Sequence, residues 1–321
     1  MSVLVFADNS EGKFKKSAFE VTSYGKKVAE LAKTNLTVLT INANDASELG
    51  LYGAEKALNI NDEKLKPFNA KAYADAIAQA AKKENATIVI VDSSTNSLYL
   101  AAMLAVNLEA GYASNVMALP VSVDPFQVKR KAFSTKAYNI LEIKTATKLI
   151  GLSKNSFGII ENKVECSIED FLPELNSNDF NMKSESIEKM TGKVSIADAD
   201  IIVSGGRGLK GPENWGMIED LADVLGAATA CSKPVSDLGW RPHSEHVGQT
   251  GKPVASNLYI AIGISGAIQH LAGVNAAKVK VVINTDAEAP FFKAADYGIV
   301  GDAFDVVPKL TEKLKEFKSK Q

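Results

Sequence analysis

Glycine and polar residues follow the first predicted strand of the C-terminal half. Residues 201–203 (IIV) form a short apolar run, and residues 204–208 (SGGRG) come directly after it. Glycines allow a backbone to approach a ligand closely, and Arg207 could pair with a phosphate. A tight turn and a solvated arginine would give the same pattern, so both interpretations stay open here.

A second predicted strand, residues 258–262, leads into a turn of small residues and then a helix. Ser265 is a good N-cap residue for that helix, and His270 lies one turn inside it. The N-terminus of a helix after a parallel strand suits phosphate, although the spacing matches neither the dinucleotide fingerprint nor the P-loop. The alternatives are a capping serine on a structural helix and a buried, hydrogen-bonded core histidine.

Two further predicted strands end in single polar residues. Asn284 follows residues 279–283, and Asp302 follows residues 297–300 and a glycine. Each alone would be an ordinary turn residue. Ligands bind at the carboxyl ends of parallel strands, so the four strand ends together predict a crevice with donors for phosphate and acceptors for ribose. An adenine dinucleotide fits that chemistry.

Small, amide and hydroxyl residues are concentrated in residues 229–234 and 246–252. Cys231 beside Ser232 could suggest a nucleophile, but no acid–base pair adjoins it, which favours a small buried hydrophobe. His243, Glu245 and His246 could suggest a metal site. Without further ligands, solvated loop residues are the better prediction.

The elements that position these residues alternate between short β-branched runs and amphipathic stretches, which predicts an α/β fold with mainly parallel sheets. The N-terminal half contains predicted strands at 2–7, 36–41 and 87–91 and a helix at 70–83. Segments 137–143 and 148–152 suggest an antiparallel extension. The polar stretch 175–194 is the predicted linker, or else a long surface loop, so we expect domains at 1–190 and 191–321.

Length and composition support two folded domains and exclude several partners. The chain has 321 residues, with 36 basic and 38 acidic side chains and a net charge of −2, so nucleic acid is not an expected partner. Two cysteines provide no disulfide framework, and the start of the chain predicts a strand rather than a signal or transit peptide. We therefore expect a prokaryotic cytoplasmic protein without membrane insertion. The longest apolar run, residues 98–106, is too short to span a bilayer.

The C-terminal half closely resembles the α subunit of electron-transfer flavoprotein. The resemblance rests on residues 258–273 (LYIAIGISGAIQHLAG), 283–284, 294–302 (AADYGIVGD), 204–208 and 247–252 (VGQTGK), in the order of that family. It implies FAD in a Rossmann-like C-terminal domain, and an N-terminal domain packed against a β subunit to form a heterodimer. Residues 98–106 could belong to that contact, or form a buried core helix.

The resemblance also implies which residues contact FAD. The turn at Ser265 would hold the pyrophosphate, Asn284 and Asp302 the adenosine end, and Gln249, Thr250 and His270 the polar edge of the isoalloxazine ring. The full predicted set is Arg207, Ser232, Lys233, Val247, Gly248, Gln249, Thr250, Ser265, Gly266, Ala267, Ile268, Gln269, His270, Asn284, Asp302 and Ala303.

One position departs from the family pattern. Lys233 stands where the family usually has an arginine over the flavin ring, so the charge is kept and the planar guanidinium is lost. We expect Lys233 to lie near the ring and favour the negatively charged reduced flavin, with His270 as the other helper. The flavin potential depends on this substitution.

The function implied is an electron carrier rather than an enzyme with substrate chemistry of its own. Flavin dehydrogenases, such as the acyl-CoA dehydrogenases of fatty acid β-oxidation, would supply electrons, and a quinone oxidoreductase or another acceptor would receive them. The alternatives are a flavin- or nicotinamide-dependent oxidoreductase acting on a small substrate, a member of an electron-bifurcating complex, and a nucleotide-sensing subunit. No catalytic or metal-ligating residue is predicted.

Overall fold

A computed structural model describes residues 2–133, 135–182, 184–185 and 195–320. The chain divides into two compact units, Met1–Ile187 and Glu188–Gln321. The boundary predicted after residue 190 lies outside the described residues, as does most of the linker predicted from residue 183 onward.

The N-terminal unit contains strands and helices in alternation. Its strands are β1 (Ser2–Phe6), β2 (Asn9–Ser10), β3 (Lys13–Phe14), β4 (Asn35–Ile41), β5 (Lys56–Ile60), β6 (Ala86–Val91), β7 (Gly111–Val116), β8 (Ser122–Val123), β9 (Phe126–Ala132), β10 (Ala137–Glu142), β11 (Lys148–Leu152) and β12 (Ser167–Asp170). Its α-helices are α1 (Lys16–Leu31), α2 (Ala70–Lys83) and α3 (Thr95–Asn107). The predicted helix 70–83 is confirmed, and it begins at Ala70 because the Asn69 side chain accepts hydrogen bonds from the Lys71 and Ala72 amides.

The main sheet of this unit runs β10-β9-β7-β11-β6-β1-β4-β5-β12, with β8 paired to β9, within the described residues. The predicted antiparallel extension is right for β10, which pairs antiparallel with β9. It is wrong for β11, which lies in the interior, parallel to both β6 and β7. Leu149 and Ile150 of β11 are fully buried, because an interior parallel strand is covered on both faces.

The start of the predicted linker is packed into the N-terminal unit. Asn176 and Asp179 form a capping box on a short 3₁₀ turn, Ser177–Phe180. The Asp179 carboxylate is buried and accepts a hydrogen bond from the Lys71 ammonium of α2. Residues 176–180 are therefore structured, because a polar segment can be held by capping and an ion pair without large apolar side chains.

The C-terminal unit is a five-stranded, wholly parallel sheet within the described residues, in the order β14-β13-β15-β16-β17. Its strands are β13 (Ile201–Gly205), β14 (Ala228–Cys231), β15 (Leu258–Ile262), β16 (Val279–Asn284) and β17 (Tyr297–Val300). Its helices are α4 (Gly216–Leu225), α5 (Lys233–Asp237), α6 (Ile268–Val274) and α7 (Ala303–Lys318). The predicted α/β class is thus confirmed.

The order of strands in the C-terminal unit creates a switch point. From β13 the chain passes to β14 on one side, then crosses to β15 on the other side. The loops that leave β13 and β15 therefore diverge at their carboxyl ends, which is where open α/β sheets bind ligands. Among the described residues, no helix combines the length and apolar character needed to cross a bilayer.

Candidate functional site

A cavity of about 740 Å³ opens at the carboxyl ends of β13 and β15. Its volume lies within the range of ligand-binding pockets. Most of the predicted contact residues line it, and they come from four loops of the C-terminal unit. These are Arg207, Ser232, Lys233, Val247, Gly248, Gln249, Thr250, Ser265, Gly266, Ala267, Gln269, His270 and Asn284.

Glycines allow close hydrogen-bonded contact between the loop after β13 and the loop after β15, beside the cavity. The Gly206 amide donates to the Ile262 carbonyl at 2.8 Å, and the Gly208 amide donates to the Gly263 carbonyl at 3.1 Å. A Cβ on Gly206 would lie 2.1 Å from the Gly263 carbonyl oxygen. The close contact between the two backbones thus requires glycine at these positions. The same contact places Arg207 at the rim of the cavity.

The turn after β15 differs from the prediction in where the helix begins. Ala267 is the N-cap residue, and α6 starts at Ile268, so the interpretation of Ser265 as the N-cap is wrong. The Ser265 carbonyl instead accepts from the Phe291 amide at 3.0 Å. Gly266 has a φ of +89°, and a Cβ there would lie 2.5 Å from the Phe291 nitrogen. The turn is therefore tied to the segment after β16, with Ser265 exposed toward the cavity.

His270 is buried against the aromatic core behind the cavity. Its Nε2 lies 3.0 Å from the Tyr259 hydroxyl, and Tyr259 stacks on Phe291. Burial lowers the pKa of His270 to about 4, with the Val247 backbone opposing the shift. The imidazole is therefore neutral near pH 7. It cannot supply the positive charge expected of a helper, and acts as a hydrogen-bonding group.

The loop after residue 245 is pinned between β14 and α6. The Val247 amide donates to the Cys231 carbonyl at 3.0 Å, and the Gln249 amide donates to the Gln269 carbonyl at 2.7 Å. Gly273 of α6 packs on Gly248, where a Cβ would meet the Gly248 Cα at 2.6 Å. These contacts hold the backbone of the loop and leave the side chains of Gln249 and Thr250 exposed at the cavity.

His246 begins this loop and is buried, with 2% of its surface exposed. The prediction of a solvated loop residue is therefore wrong for His246, whereas His243 is exposed. The two rings are in edge contact, with centroids 5.2 Å apart. The described residues contain no group of three or more His, Cys, Asp or Glu side chains arranged to hold a metal ion.

Lys233 opens the short helix α5 and lies in an ion pair that the sequence analysis missed. Its Nζ is 2.6 Å from Asp237 Oδ2, one helical turn further on, and Asp237 also lines the cavity. Both side chains are more than half exposed. The charge of Lys233 is thus partly neutralised by Asp237 and screened by water.

Two other predicted residues around the cavity are held by local contacts. Asn284 Nδ2 donates to the Ile264 carbonyl at 3.1 Å, and Asn284 Oδ1 accepts from the Asp286 amide at 3.1 Å. Cys231 is buried, and burial raises the pKa of its thiol to about 12. It is therefore a small buried side chain rather than a nucleophile.

Three predicted residues lie outside the lining of the cavity. The Ile268 side chain is 69% exposed on the first turn of α6. Asp302 is the N-cap residue of α7, where its carboxylate accepts from the Phe304 amide at 3.0 Å. Ala303 is buried as the first residue of that helix. The local capping role of Asp302 explains its position without a ligand.

The chemistry of the cavity suits a dinucleotide cofactor. Arg207 and Lys233 are cations, Gln249, Thr250 and Ser265 are exposed donors, and backbone turns approach closely where glycines stand. Such a set can hold phosphates and the polar edges of flat rings. Fold and cavity together define a nucleotide-cofactor protein of the open parallel-sheet class.

Comparison with known proteins identifies the family. Residues 195–275 match the electron transfer flavoprotein FAD-binding domain, and residues 3–174 match the electron transfer flavoprotein domain. The chain is 34% identical to electron transfer flavoprotein subunit alpha of Thermoanaerobacterium thermosaccharolyticum, over 98% of each chain. It is 35% identical to the subunit alpha of Bacillus subtilis, covering 98% of this chain and 97% of that one. It is 33% identical to Protein FixB of Clostridium saccharobutylicum, over 98% and 96%. The chain belongs to the electron transfer flavoprotein alpha subunit family.

Membership in this family confirms the expected class of function. The cofactor is FAD, and the chain is an electron carrier rather than an enzyme that converts a substrate of its own.

Proposed function

We propose that FAD occupies the cavity at β13 and β15, and that the residues lining it hold the cofactor. Arg207 and the turn at Ser265 and Gly266 neutralise and bind the pyrophosphate. Gln249, Thr250 and His270 donate to the polar edge of the isoalloxazine ring. The observation that supports this best is that most of the predicted contact residues line one cavity of suitable volume.

FAD supplies a ring that accepts and returns electrons. The residues of this chain position that ring and set its potential. His270 stays neutral beside Tyr259 and presents a hydrogen bond. Lys233 and Asp237 carry opposite charges at the same wall, so their balance adjusts the stability of the reduced, negatively charged cofactor. Asn284, which lines the cavity, is assigned to the adenosine end.

The partners complete the proposal. A β subunit forms a heterodimer with this chain through the N-terminal domain. Flavin dehydrogenases, including those acting on acyl-CoA in fatty acid β-oxidation, supply electrons. A quinone oxidoreductase or another acceptor removes them. A cytoplasmic location is consistent with two cysteines that are both free and belongs to the same proposal.

An apolar face on α3 supports the contact with a β subunit. Leu98, Tyr99 and Val106 are 58%, 66% and 76% exposed, and Leu100 and Leu104 point into the core. The helix is therefore apolar on both faces, and its outer face gains stability when a partner covers it. The buried-helix alternative for residues 98–106 holds only for the inner face of α3.

The full chain co-expressed with its β subunit tests the function. Flavin released by heat denaturation should be FAD, in a ratio of about one per heterodimer. The complex should bleach when an acyl-CoA dehydrogenase and its acyl-CoA substrate are added, and should not bleach with the acyl-CoA alone. FMN in place of FAD, or direct reduction by a small substrate without a dehydrogenase, would overturn the proposal.

A further inference from the structure

His246 is a buried side chain that the proposed binding of FAD leaves without a role. It lines the cavity with 2% of its surface exposed. Its Nδ1 is fully buried and has no hydrogen-bond partner among the residues that the structure describes. The loop of Gly248 and Gly251 wraps the ring closely, since a Cβ on Gly251 would lie 2.8 Å from Nδ1. An imidazole held this way costs free energy unless it serves the ligand.

The surroundings of His246 disfavour the charged form of its imidazole. Burial lowers the pKa of His246, and electrostatic interactions with His243 and Lys233 lower it further, while Asp237 opposes them. The other titratable groups nearby carry no free charge toward it. They are Cys231, whose thiol stays protonated, the neutral His270, and Glu245, which is paired with Arg241.

A negative charge arriving in the same cavity would reverse this balance. Opposite charges attract strongly where water is excluded, so a cation that is unfavourable beside an empty or neutral site becomes favourable beside an anion. His243 is exposed and its ring touches that of His246.

We propose that His246 takes up a proton when FAD in the cavity is reduced. The flavin gains two electrons from the donor dehydrogenase and one proton, which leaves the ring with one negative charge. His246 binds a second proton from solvent, so two electrons enter with two protons and the site stays neutral overall. Both protons return to solvent on reoxidation. His246 thus balances the negative charge of the reduced flavin. The inference rests on the proposed binding of FAD at this cavity.

The pH dependence of the flavin potential tests this inference in the holo heterodimer. For a two-electron couple, a tenfold change in proton concentration shifts the midpoint by about 30 mV for each proton taken up. The flavin midpoint potential of the wild-type protein should therefore fall by about 60 mV per pH unit around neutrality. In His246→Gln the new side chain cannot titrate, so the midpoint potential should fall by only about 30 mV per pH unit. His243→Gln is the matched control, and should keep the steeper slope.

If both proteins retain FAD, equal slopes of midpoint potential against pH in wild type and His246→Gln would overturn the inference. Loss of FAD from wild type itself would instead overturn the proposed function, so the two failures are distinct. If His246→Gln does not retain FAD, imidazole NMR of the wild-type holoprotein decides. The His246 resonance should titrate at a higher pH in the reduced protein than in the oxidised one. An identical titration in both states would contradict the proposal.

Discussion

Lys233 Nζ lies 2.6 Å from Asp237 Oδ2 across one turn of α5, and both side chains line the cavity. In the proposed site, the flavin would therefore face a compensated charge rather than an isolated cation. Replacing either partner therefore releases the opposite charge of the other. We expect the two residues to act on the cofactor in opposite directions.

Asp237→Asn should raise the flavin midpoint potential, and Lys233→Ala should lower it. Because both groups are more than half exposed, each effect should be about 1 kcal/mol or less, or up to about 40 mV for a one-electron step. Lys233→Arg should shift the midpoint least, since the charge is kept. Potentiometric titration of the four proteins measures this, and identical midpoints throughout would remove the pair from the site.

Gly266→Ala should weaken the binding of FAD more than tenfold. Its φ of +89° disfavours any side chain, and the new Cβ would lie 2.5 Å from the Phe291 nitrogen, a strain of about 1–3 kcal/mol. Gly216→Ala is the matched control, because no atom lies within 4 Å of a Cβ there. The two variants are compared by their flavin content after dialysis and by their melting temperature. Equal retention of FAD would show that the turn tolerates the side chain.

Asp8 should make the N-terminal unit less stable as pH rises from about 4 to 6. Burial, and next the charge of Asp92, raises the pKa of the Asp8 carboxyl from 3.8 to about 6. The folded unit therefore holds a proton that the unfolded chain has lost, and its free energy of unfolding falls through this window. At 1.36 kcal/mol per pKa unit, the cost at pH 7 is about 3 kcal/mol.

Asp8→Asn should remove this cost and flatten the pH dependence. Amide hydrogen exchange of β1 at pH 4.5 and 7 measures the stability of the unit in the full chain. Asp45→Asn provides the control, because Asp45 is exposed and hydrogen bonds from Ser47 lower its pKa. An unchanged pH dependence in Asp8→Asn would mean that another group is responsible.

Val106→Glu should weaken the heterodimer at least tenfold. Burying a valine in an interface contributes about 1.5–3 kcal/mol, and a buried charge adds a penalty. Leu172→Glu is the matched control, since Leu172 is 80% exposed and lies away from α3 in sequence. Sedimentation at micromolar concentration compares the two complexes. Equal association constants would place the β subunit on another surface.

Local signals in the sequence predicted the elements whose causes are local. The helix α2 follows from the Asn69 cap and its buried alanines, and β13, β15, β16 and β17 follow from their β-branched runs. The strand β14 (ATAC) was missed, because it has no such run. The interior position of β11 did not follow, because its neighbours β6 and β7 are set by pairing across the sheet. A strand's place in a sheet depends on non-local contacts that periodicity does not record.

In the candidate site, too, local features could be predicted from the sequence and features that depend on distant contacts could not. The loops could be assigned from their motifs, whereas the burial of His246 depends on a loop closing over it. The partner of Lys233 had a signal: Pro234 at the start of a short helix places Asp237 at i+4. Capping of α7 by Asp302 was equally visible, since Asp before a helix is a favoured N-cap residue.

Within the described part of the chain, every residue that lines the cavity falls between positions 207 and 286. A pocket encoded by one uninterrupted stretch can be inherited, duplicated or fused to a new neighbour as a single piece of gene. The other half of the chain is then free to diverge toward new partners without rebuilding the cofactor site. The proposed cofactor site and the proposed contact with a β subunit thus lie on separate segments of this polypeptide.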